Sequence, residues 1–476
     1  MDQMEAPASP RVIELETAQD QVQAKGSGFS WLIAVLLLTS LFLNYIDRQT
    51  LSVLVRFLPA ELKMSNIVYA HITSAFLLAY ALAMPLAGWF VDRLGARLGL
   101  AITVTCWSLF ESLCGTSRSV FSLGAFRFLL GIPEAAGLPA ITKVAAEHAA
   151  PHAKATLVGI AMFGLGMGTT FAPPIVAFLS LHASWRWAFY ATGLAGFVWV
   201  LFWLIFYRTQ FSTAQRASSP QTDARGGQLS YEASSIGNPG ERGSALQRAA
   251  ESHGPRHDRT GLSPALSEAN LPWVSLLRNK TVIGLTLTHV FAASTWWFYL
   301  FWIPPYLNQV RHLNIHEIGI YGWIPYFFAS IGSAFGGYVS GALVRRGWEP
   351  VRARKAIMWA CACIVPFTSF VVKTYALAAV LSILAIATFF IQAYNSNLFA
   401  VAADIFAPGR VASVVGLNVM CNALAAIAVI QFTGHIVEHS SYTPAFVLVA
   451  LLLPTASLCA GWLVRPDKET SNSMVR

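Results

Sequence analysis

Apolar residues run through this chain in long blocks, many of 18 or more residues, separated by short polar stretches. Blocks of that length cross the hydrocarbon core of a bilayer, about 30 Å thick, as α-helices. Twelve are predicted, over residues 29–55, 67–91, 97–115, 119–143, 155–181, 185–207, 279–307, 316–344, 355–373, 375–403, 411–437 and 442–464. Glu111 interrupts the third and Pro366 the ninth. The pattern breaks over residues 208–272, rich in Ser, Gly, Ala, Gln and Arg, which hold too little apolar surface to order themselves. The expected organisation is a tail over 1–28, a six-helix bundle over 29–207, a flexible loop over 208–272, a second six-helix bundle over 273–464 and a tail over 465–476.

Composition agrees with an all-α membrane protein. Of 476 residues, 55% are hydrophobic and 12% charged, and the mean hydropathy is +0.54, which excludes a soluble domain. The net charge of +9 does not point to nucleic acid, because the basic residues lie in short runs between apolar blocks. They set the orientation instead. With both termini cytoplasmic, inner segments hold 24 of the 32 basic residues and outer loops six: Arg56, Lys63, Arg118, Arg186, Arg311 and Lys373. Nine of the 24 lie between Arg208 and Lys280, where the rule is weak, yet 15 to 6 still favours cytoplasmic termini. The first 28 residues lack the basic start and cleavage site of a signal peptide, so the first run reads as a retained span. The six cysteines fall in apolar stretches and read as small buried hydrophobes; Cys361 and Cys363, two apart on a helix, point to different faces. No metal, cofactor, nucleophile elbow or phosphate loop is expected, and nothing argues for an obligate oligomer, so a monomer is.

The two halves share a repeat. Residues 144–160 read VAAEHAAPHAKATLVGI and residues 401–417 read VAADIFAPGRVASVVGL, with eight of seventeen positions identical. Each copy ends an even-numbered run and begins the next. Internal repeats of this kind build secondary transporters around a central site.

Four ionisable residues stand at bilayer depth: Asp47 and Arg48 in the first run, Arg127 and Glu134 in the fourth. Each costs at least about 2.5–3.5 kcal/mol there, so such groups persist where they face a water-filled cavity and one another. At about 1.5 Å per residue, Arg127 lies roughly 10 Å below the outer surface, level with Asp47, and Glu134 lies two turns deeper on the same face. Asp47 and Glu134 are the candidate protonation sites, with Arg127 as the partner of Asp47, because a carboxylate whose pairing changes between states binds and releases a proton. Arg48 is the candidate anchor for a substrate carboxylate, since its planar fork matches one and stays charged. Glu111 is placed near an outer helix end, within reach of water, and Asp404 and Glu147 at a cytoplasmic end with Lys154 or Arg410.

Between the second and third runs the chain reads Gly88-Trp-Phe-Val-Asp92-Arg93-Leu-Gly95-Ala-Arg97. This resembles the signature loop of the major facilitator superfamily, Gly-x-x-x-Asp-Arg-x-Gly-x-Arg/Lys. The resemblance implies twelve transmembrane helices in two six-helix halves and gives Gly88, Asp92, Arg93, Gly95 and Arg97 the role of a conformational latch. The second-half copy, Gly337 to Gly341 then Arg345-Arg346-Gly347, lacks the acid, so its latch is expected to be weaker or differently built. Asn44-Tyr45-Ile46-Asp47-Arg48, the stretch from Arg127 to Pro139 and Phe301-Trp302-Ile303-Pro304-Pro305-Tyr306-Leu307 narrow the match. Together they look like the anion:cation symporter family, most like its bacterial hexuronate transporters.

What the resemblance implies is a proton-coupled symporter for a sugar acid, in a bacterial-type cytoplasmic (inner) membrane with both termini cytoplasmic. Its partners would be the sugar-acid anion, protons and the lipid bilayer. A hexuronate is the first expectation. An aldonate such as galactonate, another organic anion, proton antiport, or a transporter-like solute sensor are the alternatives; an enzyme is not expected. Tyr45, Tyr80, Trp297 and Tyr299 are the aromatic candidates for sugar contact, and Asn418 and Asn422 are alternatives for one polar contact. Aligning the repeats sets Leu384 opposite Arg127 and Ile391 opposite Glu134, which leaves proton handling to the N-terminal half.

Overall fold

Short polar side chains start many of the helices. Ser65 accepts from the Val68 N–H, Ser119 forms a reciprocal capping box with Ser122, Asn279 caps Thr281 and Val282, and Asn314 forms a capping box with Glu317. The computed structural model describes residues 31–148, 154–218, 279–406 and 408–464. The expectations for the tails, and for the loop beyond Ser218 as far as 272, lie outside the described residues.

In chain order the helices are α1 (Trp31–Leu54), α2 (Asn66–Gly115), α3 (Val120–Glu134), α4 (Gly137–His148), α5 (Lys154–His182) and α6 (Trp185–Ser218). They continue with α7 (Lys280–Gln309), α8 (Ile315–Tyr321), α9 (Ile324–Arg345), α10 (Pro350–Ile364), α11 (Leu377–Ile405), α12 (Pro408–His439) and α13 (Tyr442–Leu463). Among the described residues, ten helical stretches are long and apolar enough to cross a membrane. The Trp, Tyr, Thr and Pro content of α7 lowers its mean hydropathy and leaves it outside the ten.

Where the helices break, the sequence supplies the reason. The 50 residues of α2 would reach about 75 Å if straight, more than twice a bilayer core. Gly95, at φ 75°, divides it in two, in a left-handed backbone conformation that glycine adopts readily. Pro133 removes a helical N–H, and the fourth run splits at residues 135–136 into α3 and α4. Pro366 does not interrupt the ninth run; it tightens it into a 3-10 helix over Val365–Lys373. The sixth run continues as helix to Ser218, past the loop boundary expected at 208, because no Gly or Pro intervenes before Pro220.

The surface is inverted relative to a soluble protein. Leu82, Leu86, Phe121, Leu201, Ile205 and Trp462 point outward, while Asp47, Arg48, Gln49, Glu111, Arg127, Glu134 and Asn418 are buried. α1 lies against α5 and α6, α2 against α3, α4 and α6, α7 against α12 and α13, and α9 against α11. Helices from residues 31–218 meet those from 280–463 along α2 with α12, α5 with α8 and α9, and α1 with α7.

Those meetings gather polar groups at the end of the bundle that carries the 55–65 and 440–441 connections. There the Asn66 N–H donates to Glu438 (2.7 Å), the Gln431 amide donates to the Ala70 carbonyl (3.3 Å), and Arg56 donates to Asn66 and to the Met64 carbonyl. The Gln309 amide lies 2.6 Å from Tyr442 and 3.2 Å from Asn66. Pro304 and Pro305 have no N–H to offer the carbonyls of Leu300 and Phe301. Side chains take their place: Ser52 (2.9 Å) and Tyr69 (2.8 Å) donate to Phe301, and Tyr326 (3.2 Å) and Gln49 (3.5 Å) to Leu300. A helix defect thus becomes a bridge between α7 and the helices α1 and α2.

Candidate functional site

The site forms where α1, the first part of α2, and α3 come together. Gly131 makes this possible: a Cβ there would stand 2.4 Å from the Phe76 carbonyl, so only glycine lets α3 lie this close to α2. That approach brings Arg127 and Glu134, one turn either side of Gly131, against α1.

Arg48 and Glu134 are paired. Arg48 Nη2 lies 2.5 Å and Nε 3.0 Å from Glu134 Oε2, both side chains almost fully shielded. Two donors on one carboxylate oxygen make this a charge-assisted contact of the stronger kind. Four rings surround the guanidinium: Tyr45 at 4.7 Å, Tyr80 at 5.1 Å, Trp297 at 5.4 Å and Phe76 at 5.5 Å from Cζ. Each supplies cation–π attraction in a desolvated setting. Arg48 Nη1 also donates to Tyr45 Oη at 3.3 Å. Trp297 comes from α7 and donates its indole N–H to Asn422 Oδ1 of α12 at 3.2 Å, so the ring connects Arg48 to the C-terminal helices. The partner of Glu134 is thus Arg48.

The expected side-chain pair between Asp47 and Arg127 does not form. Arg127 Nη1 donates to the main-chain carbonyl of Asp47 at 3.0 Å, and neither Asp47 carboxylate oxygen has a hydrogen-bond partner among the described residues. The Thr192 hydroxyl beside Asp47 gives its proton to the Ala188 carbonyl. Arg127 Nη2 instead faces Glu111 Oε1 at 3.8 Å. Glu111 does not reach water: it is fully buried. Its distance from the helix end suggested access, but the second part of α2 turns that face toward α3.

Of the remaining candidates, Tyr45, Tyr80, Trp297 and Asn422 belong to the Arg48 surround. Asn418, one turn from Asn422, accepts from Thr286 at 2.7 Å. Tyr299 does not join them. Two residues beyond Trp297, it points to another face of α7, where its hydroxyl meets Thr368 at 3.4 Å and its ring packs on Phe298 and Phe446. Phe76 and Glu111 were not among the candidates. Phe76 precedes Tyr80 by one helical turn, and Glu111 was legible as an acid inside an apolar run.

The latch residues sit at the opposite end of the bundle. Asp92 pairs with Lys143 at 2.9 Å, and Lys143 with Glu147 at 3.5 Å. Arg97 donates to the Leu204 carbonyl (3.1 Å), the Arg97 carbonyl accepts from Trp203 (2.9 Å), and Arg93 stands over Trp89. Among the described residues nothing approaches within 4 Å of a Cβ at Gly88. In the C-terminal helices Arg354 pairs with Asp404 (3.3 Å) and also donates to Ser340 (2.5 Å). The side chains of Lys154 and Arg410 lie outside the described residues.

Arg48 and Arg127 line one small cavity with Leu51, Ser52, Tyr69, Thr73, Phe76 and Phe301. Its volume is about 10 Å³, room for one water. A larger groove of about 760 Å³ between α9 and α11, lined by Tyr321, Phe328, Leu381 and Phe389, carries no charged group.

A helical bundle with paired charges inside and lipid-facing apolar residues outside has the form of a solute carrier. Residues 37–430 match the model of the Major Facilitator Superfamily. The chain belongs to that superfamily. This member is thereby a multi-pass membrane protein of a transporter family. It is 26% identical over 445 residues to the hexuronate transporter of Escherichia coli strain K12, covering 93% of this chain and 96% of the relative. It is 27% identical over 315 residues to the galacturonate transporter of Dickeya chrysanthemi (66% of this chain, 82% of the relative). It is 27% identical over 336 residues to the D-galactonate transporter of Escherichia coli O6:H1 (70% and 72%). Its fold is similar to that of a bacterial homolog to the human lysosomal transporter Spinster, crystallised in an inward-facing and occupied conformation. The TM-score is 0.65 at 18% identity, over 92% of this chain and 97% of the other.

Proposed function

We propose that this superfamily member is a proton-coupled symporter that imports a sugar acid, a hexuronate first, across a bacterial-type inner membrane. An aldonate such as galactonate is the alternative within the same class. The transport path lies between two six-helix halves, residues 29–207 and 273–464, with both termini cytoplasmic. Counting α2 as two spans, α3 with α4 as one, α8 with α9 as one, and α10 with its 3-10 extension as one gives twelve. The 1–28 and 465–476 tails and the 208–272 loop would then be cytoplasmic. The end joined by Asn66, Glu438 and Gln309 would face outward, closed, and the Asp92 and Asp404 clusters would face the cytoplasm.

One observation carries the reading: Glu134 occupies the guanidinium that a substrate carboxylate would need. While Glu134 is ionised, Arg48 is taken. A proton on Glu134 releases the fork, and a substrate carboxylate can then accept the same two hydrogen bonds inside the same aromatic ring. Binding of the anion is tied to binding of a proton by competition for one cation. Tyr45, Tyr80 and Trp297 would give faces and hydroxyls to the sugar, with Asn422 steadying Trp297. The cavity between Arg48 and Arg127 would be the collapsed remnant of this site, because about 10 Å³ falls far below the roughly 300 Å³ of a small-molecule pocket. The names of the relatives support an acidic sugar, and the second half supports mainly neutral contacts, with Leu384 and Ile391 fully buried opposite the charged positions.

The test is uptake of labelled galacturonate, glucuronate and galactonate at acidic and alkaline external pH, with and without an uncoupler. Concentrative uptake should need the proton gradient. Glu134→Gln should retain exchange of solute and lose accumulation; accumulation surviving that change removes Glu134 from coupling. Arg48→Lys should lose transport, since the point charge replaces the fork.

A further inference from the structure

The buried cluster does not balance its charges. Asp47, Glu111 and Glu134 are 1%, 0% and 3% exposed, and among the described residues only two guanidiniums, Arg48 and Arg127, stand with them. Arg48 and Glu134 neutralise each other. Arg127 is left with two carboxyls and cannot satisfy both. Its Nη1 is spent on the Asp47 main-chain carbonyl and its Nη2 turns to Glu111 at 3.8 Å. Both oxygens of Asp47 and both of Glu111 lack a hydrogen bond among the described residues. An unpaired carboxylate removed from water costs far more than a neutral acid, and two carboxylates near one cation do not both ionise.

We propose that Asp47 and Glu111 hold one proton between them, with Arg127 serving whichever of the two is ionised, so that Glu111 is a third carboxyl of the coupling machinery. In the conformation described, Arg127 serves Glu111 and the proton belongs to Asp47. A movement of α3 that turned Arg127 from Glu111 to the Asp47 carboxylate would transfer the need for a proton to Glu111. Among the described residues nothing else near Glu111 competes. The titratable and charged groups facing it are Arg127 and Glu134 from α3, Asp47 from α1, and Cys114 one turn along α2. From α6 come Phe189, whose ring lies under Arg127, and Thr192, both uncharged, while Arg186 is turned to the Ser117 carbonyl. Glu111 would act through proton occupancy, without touching substrate.

Infrared spectroscopy of the purified full chain in lipid nanodiscs, without substrate at neutral pH, tests this. The carbonyl stretch of a buried protonated carboxyl reports the shared proton. The wild type should show the band. Asp47→Asn and Glu111→Gln should each abolish it, because the acid that remains then has Arg127 to itself, and Glu134→Gln should leave it. A band that survives either single change, or no band in the wild type, overturns the proposal. Should Glu111→Gln fail to fold, carboxyl-¹³C aspartate in the wild type replaces it: the band belongs to Asp47 in this conformation and should shift, and an unmoved band overturns the proposal. The inference rests on the proton-coupled reading above. If wild-type uptake ignores the uncoupler, that reading fails while the infrared result still stands.

Discussion

Residues 120–148 and 377–405 occupy matching places in the sequence repeat, yet they are built differently. The first is broken at residues 135–136 after Pro133 and carries Arg127 and Glu134 into the interior. The second is one unbroken helix of 29 residues with Leu384 and Ile391 at the equivalent depths. Both segments press against a neighbouring helix through glycine: Gly131 of the first lies on Phe76, and Gly332 of α9 lies on Phe389 of the second. Similar packing therefore supports a charged interior in one place and an apolar one in the other. The broken segment carries the charged side chains, and the unbroken one presents an apolar face. On the proton-coupled reading proposed above, this asymmetry would leave proton handling to the first set of helices and mainly neutral contacts to the second.

Charge substitutions break this comparison most sharply. Glu134→Ala leaves the Arg48 guanidinium buried without its counter-ion, a loss of about 3–5 kcal/mol. Replacing both partners with apolar residues, Arg48→Met with Glu134→Leu, should recover most of that stability, since removal of a whole buried pair is close to neutral. Accumulation of solute should be absent in both. Thermal unfolding of the purified variants in detergent checks the first point and vesicle uptake the second. Were the double variant as unstable as Glu134→Ala, the ion pair would not be the source of the loss, and the contrast with the apolar Leu384–Ile391 face would lose its meaning.

The same contrast marks how far the sequence could be read. Helix positions followed from run length, and the residues of the charged cluster from the rarity of charge at that depth. Who pairs with whom did not follow. Asp47 and Arg48 are neighbours and so project about 100° apart on α1. Rise per residue sets their depth but not which of them turns toward Glu134. Depth likewise placed Glu111 near water, whereas its exposure depends on the lateral approach of α3, fixed by Gly131. Asn418 and Asn422 share one helix face, and only the position of Trp297 separates them. The carbonyls freed by Pro304 and Pro305 were implicit in the sequence, but their acceptance of bonds from Ser52 and Tyr69 is a tertiary event.

Those carbonyls supply a smaller effect. Tyr69→Phe removes one of the two donors to the Phe301 carbonyl, a net loss of about 1 kcal/mol. That is about a fivefold change in the balance between the closed arrangement and any in which α7 parts from α1 and α2. Thiol labelling of a cysteine introduced at Asn66, within the seal, should quicken accordingly in Tyr69→Phe and further when Ser52→Ala is added. An unchanged labelling rate would mean that the proline-freed carbonyls do not hold the two sets together. Tyr326→Phe, whose partner Leu300 belongs to the same C-terminal set, should have little effect on that rate.

The smallest effect concerns the two ion clusters at the opposite end. Lys143, 29% exposed at its side chain, pairs with an Asp92 that is 69% exposed, so water and salt screen the contact and Lys143→Ala should cost only about 0.2–1 kcal/mol. Arg354 and Asp404 are 19% and 22% exposed, and Arg354 has a second partner in fully buried Ser340. Arg354→Ala should therefore destabilise more than Lys143→Ala, and salt should weaken the Lys143 contact more than the Arg354 one. This ordering runs opposite to the sequence motif, which is complete around Asp92 and degraded in the C-terminal copy. On the transport cycle proposed above, a motif complete in sequence but weakly held in this conformation would strengthen in another state. Unfolding measured at low and high salt separates the two clusters; equal losses and equal salt dependence would show that burial does not distinguish them.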